Sequence, residues 1–249
     1  MDQLPAGTTG VPDLNVPSGK NGGVIAAIVF DLDGVLIDSE ATWTEARRDL
    51  VQSRGGRWLP DAQTMMMGMS APEWSRYMRD DLGVDMALAD ISVAVVDRME
   101  RLYRHQLPLL PGARDAVLAL AERWPLGLAS SANRPLIDLV LDLARLEGSF
   151  TATVSSEEVA RGKPAPDVYL ESARRLGVDA AACAAVEDST NGLRAADAAG
   201  MVVIALPNRD VPPDRDSVAL AGAVLTSLDE LRPALITAIE RDHRVQNGP

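Results

Sequence analysis

The run VIAAIVF at residues 24–30 continues directly as DLDGVLIDSE at residues 31–40. Short, continuous and apolar, the first part is the pattern of a strand buried on both faces, as in a parallel sheet. The run breaks at Asp31, and Gly34 follows, a residue that accepts turn conformations others resist. Asp31 and Asp33 therefore fall at the carboxyl end of a buried strand. In open α/β sheets that end is where ligands bind.

From Ser39 onward the periodicity becomes helical. Trp43, Ala46 and Leu50 share one face, and Ile91, Val95, Met99 and Leu102 make a second stripe. No strand pattern interrupts residues 40–106, so this region reads as an all-helical insertion. After LPLLPG (107–112) the rhythm changes. A helix over 113–123 precedes strand PLGLAS (125–130), and Asn133-Arg134-Pro135 opens a helix whose Leu136, Leu139, Val140 and Leu143 share a face. Strand FTATVS (150–155), a helix from Pro166 to Gly177, strand ACAAV (182–186), a helix over 189–199 stopped by Gly200, and strand MVVIAL (201–206) follow. A last helix is expected over 227–241. Strands alternating with helices predict an α/β fold, a doubly wound, Rossmann-like parallel sheet with right-handed crossovers. The expected organisation is a disordered tail at 1–22, rich in Gly, Pro, Thr and Asn, a core of 23–38 and 107–249, and a helical cap of 39–106.

Composition narrows the class. With 249 residues, 47% of them hydrophobic, the chain can build one large or two modest cores. Acidic residues outnumber basic ones 36 to 24, for a net charge of −12, which argues against nucleic acid or an anionic membrane as partner. No apolar run nears the ~20 residues of a membrane span, and the start lacks a signal-peptide pattern. Cys183 is the sole cysteine, so no intramolecular disulfide can form; it reads as a small apolar filler. The expectation is a cytoplasmic protein, monomeric or weakly dimeric.

Four features meet at predicted strand ends: Asp31 with Asp33, Ser130, Lys163, and Glu187 with Asp188. A parallel sheet aligns these ends along one edge. Crowded carboxylates repel unless a cation intervenes. An all-oxygen donor set with no neighbouring His or Cys points to Mg²⁺ and away from zinc. Taken singly, each residue has a plainer reading: Asp33 as a turn residue, Asp188 or Ser189 as a helix cap, Ser130 as a helix-entry residue, Lys163 as a solvated cation. Their coincidence at one edge favours a site.

FDLDGVLIDSE, Ser130, Lys163-Pro164-Ala165-Pro166 and VEDSTNG resemble the four motifs of the haloacid dehalogenase-like superfamily, in its phosphatase and phosphomutase branch with a small helical cap. The resemblance spans roughly residues 24–206. It implies that Asp31 is the nucleophile, that Asp33 is the general acid and base and also offers a backbone carbonyl to the metal, and that Asp188 ligates Mg²⁺. Glu187 would be a ligand or stand just behind one. Ser130, the amide groups of Ser131 and Ala132, and Lys163 would hold the phosphoryl group, and Asn191 would play a supporting polar part. The substrate would be a small phosphate ester.

Within that branch, Asp33 distinguishes the chain from dehalogenases, which lack the second acid. Phosphonoacetaldehyde hydrolases need a cap lysine, and no lysine occurs between residues 21 and 162. A β-phosphoglucomutase-like enzyme would carry His where Trp43 stands and, to grip the distal phosphate, Arg where Ala71 follows Gly68-Met69-Ser70; Arg47, Arg76 or Arg79 elsewhere in the cap could substitute for that arginine. The stretch from Asp38 to Trp43 is similar to bacterial sugar phosphatases. The chain thus reads as a sugar phosphatase, with a phosphosugar mutase or a non-catalytic relative that binds a phosphate ligand or a protein as the alternatives. Trp43 is placed either against a sugar or in the cap core, and the run around Met69 either against substrate or in that core. Asn133 is either a sugar contact or a helix cap. Hinges are expected near 36–40 and 106–112.

Overall fold

The computed structural model describes residues 25–67, 69–209 and 211–247, with 242–247 in backbone only. The expected tail at 1–22 and Gly68 of the cap loop lie outside the described residues. Strands β1 (Ala27–Phe30), β2 (Leu126–Ser130), β3 (Ala152–Ser155), β4 (Cys183–Glu187), β5 (Val202–Ala205) and β6 (Ala223–Val224) form one sheet in the order β3-β2-β1-β4-β5-β6. Every pairing is parallel; Phe30 lies opposite both Leu128 and Val186, and Ser130 opposite Ser155. The chain order reverses direction at β1, between β2 and β4, which opens a crevice at their carboxyl ends.

Successive side chains of a strand face opposite ways, and the two faces bury different partners. Ile28, Phe30, Leu126 and Leu128 pack with α5 (Ala113–Ala121) and α6 (Arg134–Ala144). Ala27, Val29, Ala129 and Ala185 pack with α7 (Asp167–Leu176) and α8 (Thr190–Ala198). All residues of β1, β2 and β4 are buried, which accounts for the apolar runs that lead up to Ser130 and Glu187 at the ends of β2 and β4.

Among the described residues between β1 and α5 lie four helices and no strand: α1 (Glu40–Ser53), α2 (Ala62–Met66), α3 (Ala71–Asp80) and α4 (Leu88–His105). Leu50, Met66, Trp74, Met78, Val95 and Met99 are buried among them, and this apolar cluster runs on into the sheet's own core. The two segments joining the insertion to the sheet run side by side. Ile37 bridges Leu109 in antiparallel fashion. The Asp38 amide donates to the Pro108 carbonyl at 2.8 Å, and the Leu110 amide to that of Leu36 at 2.9 Å.

The structure departs from the sequence reading at the carboxyl end. Strand β6 and the short α9 (Arg215–Val218) were not expected, and the last helix, α10, spans Pro233–Asn247 in place of 227–241. Two strand residues on the sheet edge leave no periodicity to read. The shift in α10 follows from Pro233, whose missing N–H and fixed φ suit a helix start and not its interior. Residues Leu228–Glu230 form a separate 3₁₀ turn, capped by the Ser227 hydroxyl. No helix among the described residues is long and apolar enough to cross a membrane.

Candidate active site

The first strand delivers Asp31 into the crevice, its amide fixed to the Val186 carbonyl of β4 at 3.0 Å. Lys163 reaches it from the loop before α7. Its Nζ donates to Asp31 Oδ1 at 2.7 Å and to Glu187 Oε1 at 2.6 Å. Burial weakens the lysine charge, but these two carboxylates outweigh it and hold the ammonium above its ordinary value. Burial also pushes Asp31 up, to about 7, against the downward pull of Lys163.

Glu187 is fully buried and saturated with donors. Besides Lys163, Oε1 accepts the Tyr169 hydroxyl at 3.0 Å, while Oε2 accepts the amides of Asp188 and Ser189 and the Ser189 hydroxyl. Burial works against its charge, yet Lys163 and these hydrogen bonds hold it below the ordinary carboxylate range. The carboxylate lies so close to α8 that a Cβ at Gly192 would come within 1.7 Å of Oε1. Ser189 caps that helix, accepting from the Gly192 amide. Here the plain capping reading and the site reading are both satisfied by neighbouring residues.

Asp188 is buried too, and burial together with Glu187 and Asp31 pushes its carboxyl well above the usual value. Among the described residues nothing donates a hydrogen bond to that carboxylate. Gly34 makes room for it: a Cβ there would stand 1.9 Å from Asp188 Oδ2, and the backbone φ of +83° belongs to the left-handed region. One carboxylate oxygen each from Asp31, Glu187 and Asp188 lie within 4.8 Å of one another. Three acids, with Asp33 beside them, against one lysine leave an excess of negative charge. Hard oxygen donors at that spacing fit a divalent cation of the Mg²⁺ type. Asp31 and Asp188 have free oxygens for such an ion, whereas Glu187 is committed to protein donors.

Asp33 is half-buried and is held from the helical insertion. Its Oδ1 accepts the Ser39 hydroxyl at 2.5 Å and the Trp43 indole N–H at 3.2 Å. Trp43 stacks edge-on against Trp74 at 6.3 Å, so it serves the cap core and the site at once. Met66, Met67 and Met69 line the same cavity, of about 130 Å³, as Asp31, Asp33 and Asp188. Ser131 and Ala132 line it from the loop after β2, while Ser130 lies fully buried below, its Oγ accepting the Ala132 amide at 3.0 Å.

One candidate for a substrate contact lies elsewhere, and one supporting candidate stands off the cavity wall. Asn133 is turned to Glu157, its amide donating to Oε1 at 2.6 Å, and it does not line the cavity. Asn191 sits half-buried on the first turn of α8, outside the lining. Sequence reading did not single out Ser39, Tyr169, Gln63 or Glu40. Tyr169 looks like one apolar position in the stripe of α7, and its hydroxyl becomes informative only once Glu187 is beneath it.

The residues that match the family description of haloacid dehalogenase-like hydrolases are 25–200. Hexitol phosphatase B of Escherichia coli O157:H7 is 38% identical over 213 residues, 83% of this chain and 94% of that protein. Protein CbbY of Rhodobacter capsulatus is 31% identical over 224 residues, 83% of this chain and 99% of that protein. Among solved structures, CbbY from Rhodobacter sphaeroides in complex with phosphate superposes with a TM-score of 0.76 at 27% identity, over 86% of this chain and 100% of that one. Fold, buried acids and sequence agree, and the chain is an enzyme of the haloacid dehalogenase-like hydrolase family.

Proposed function

We propose that the protein is a Mg²⁺-dependent phosphatase of small phosphorylated carbohydrates that works through a phosphorylated Asp31. The observation that carries this reading is the buried bridge of Lys163 between Asp31 and Glu187. It leaves one Asp31 oxygen free for attack and aims an ammonium at the place where phosphoryl charge gathers. The kinship with a protein named hexitol phosphatase B supports a carbohydrate phosphate as substrate.

Asp31 attacks phosphorus and the ester oxygen leaves. Asp33 gives that oxygen a proton, then takes one from the water that opens the aspartyl phosphate, so orthophosphate departs and both carboxylates are restored. Ser39 and Trp43 fix the Asp33 carboxylate in both half-reactions. Ser131, on the cavity wall, offers donors to the phosphoryl oxygens, and Ser130, buried below, holds the loop there by accepting the Ala132 amide. Mg²⁺ would be held by Asp31, Asp188 and the backbone carbonyl of Asp33. Bound there, it would neutralise charge on the phosphoryl oxygens and their carboxylate neighbours.

The test is a panel of sugar, polyol and nucleotide monophosphates assayed for phosphate release with Mg²⁺ and with EDTA. Asp31→Asn should abolish release while circular dichroism shows the fold intact. Release that persists in that variant, or that ignores EDTA, would end the proposal. Glucose 1-phosphate with a trace of the 1,6-bisphosphate belongs in the panel, because formation of glucose 6-phosphate would assign the site to a mutase.

A further inference from the structure

Arg47 is a charged group for which the phosphatase chemistry has no use. It stands on α1, 5% exposed, and lines the cavity that holds Asp31, Asp33 and Asp188. Its guanidinium carbon lies 4.5 Å from the Trp43 ring centroid and 5.3 Å from that of Trp74. One nitrogen donates to Gln63 Oε1 at 3.1 Å, and Gln63 in turn donates to Glu40 Oε2 at 3.0 Å. Nε has no partner. Among the described residues no carboxylate forms an ion pair with Arg47.

A buried cation with a neutral amide as its hydrogen-bond partner is costly, and buried charges ordinarily find a counter-ion. Both indoles lie against the guanidinium and Gln63 takes one donor, so what remains is an edge of terminal N–H donors on a side chain that lines the cavity. Such an edge matches a planar oxyanion, which it can grip with two bonds. The cavity, at about 130 Å³, is well below the ~300 Å³ at which pockets for drug-sized ligands begin, and a carboxylate is the smallest group that answers both charge and fork.

Resting on the phosphatase reading, we infer that Arg47 selects substrates whose end remote from the phosphate carries a carboxylate: phosphorylated hydroxy acids or sugar acids. Trp43 and Trp74 hold the guanidinium in place, and the Glu40–Gln63 pair sets its rotation. Arg47 is in this sense a specificity residue and takes no part in phosphoryl transfer.

The experiment compares two pairs matched in carbon number, 3-phosphoglycerate with glycerol 3-phosphate and gluconate 6-phosphate with glucitol 6-phosphate, as ratios of kcat/KM within one enzyme. The wild type should favour the acid in at least one pair by about 10-fold or more, the scale of one or two charge-assisted hydrogen bonds. Arg47→Gln should bring that ratio to near one, and Arg47→Lys should keep part of it. A ratio unmoved by Arg47→Gln assigns the arginine to cap packing and overturns the inference, since a structural loss lowers both substrates alike. A wild type that prefers the neutral ester in both pairs, or fructose 1,6-bisphosphate over either acid, overturns it too. Phosphate release by the wild type from none of the four esters nor from p-nitrophenyl phosphate would refute the phosphatase reading itself, and so keeps that failure distinct from failure of the inference.

Discussion

Lys163→Met replaces a buried ammonium with an apolar chain of similar length. It leaves Asp31 and Glu187 facing each other inside the protein, with oxygens within 4.8 Å. Two unit charges at that separation, with an effective dielectric constant of about 20, repel by about 3.5 kcal/mol. That agrees with the ~3–5 kcal/mol commonly lost when one partner of a buried pair is removed. The loss has a pH signature. In the wild type Lys163 titrates above its ordinary 10.5, so its contribution is complete below that value and fades only as pH rises through the raised one. In the variant the burden falls on Asp31, which titrates higher folded than unfolded and stands at about 7 even with the lysine present. Its penalty is absent below about pH 4 and grows until pH passes the folded value. Thermal melts in EDTA should therefore show the variant about 10 °C below wild type at pH 8, at roughly 2–4 °C per kcal/mol for a chain of this size. At pH 5 the gap should be about half that, because a proton relieves the repulsion while Tyr169, Ser189 and two amides still hold Glu187. A gap of equal size at both pH values, or none at pH 8, would falsify this account of the bridge.

Gly34→Ala would place a methyl group 1.9 Å from Asp188 Oδ2 on a backbone with φ of +83°. The Mg²⁺ concentration for half-maximal phosphate release should rise by about 10-fold or more, and an unchanged metal titration would remove Asp188 from the ligand set. Trp43→Phe keeps a ring beside Arg47 but loses the N–H that reaches Asp33 at 3.2 Å. Steady-state kinetics should show kcat reduced about 10-fold, the scale of one hydrogen bond to a charged group, with KM less affected. An unaltered kcat would mean that the indole serves packing alone.

The sheet was readable because its central strands are sealed on both faces. A strand such as β1, which shows no exposed residue, must be written in apolar letters, and its end is marked by the first charge. Lys163, Glu187 and Asp188 could be placed together because a parallel sheet collects strand ends whatever their separation in sequence. What each carboxylate does there was harder to read. Glu187 and Asp188 are adjacent and alike as letters, yet one is wrapped by donors from α7 and α8 and the other is bare. That difference depends on a Tyr hydroxyl and on amide directions that no spacing encodes. Arg47 could be read only as one of several cap arginines, with Arg76 and Arg79, since α1 carries Arg47 and Arg48 side by side and only packing decides which one turns inward against two indoles. Strand β6 and the start of α10 were missed through brevity in the first case and an undervalued proline in the second.

The paired crossing at Ile37 and Leu109 bears on how the helical insertion can travel. Two independent tethers would let it slide, tilt and swivel over the sheet. Laced to each other by the Asp38–Pro108 and Leu110–Leu36 hydrogen bonds, the tethers act as one flat strap. A strap folds readily across its width and resists being sheared along its length, so any swing of the insertion would have a single easy direction. Trp43 and Arg47, carried on the first helix beyond that strap, would then approach and leave the aspartates together.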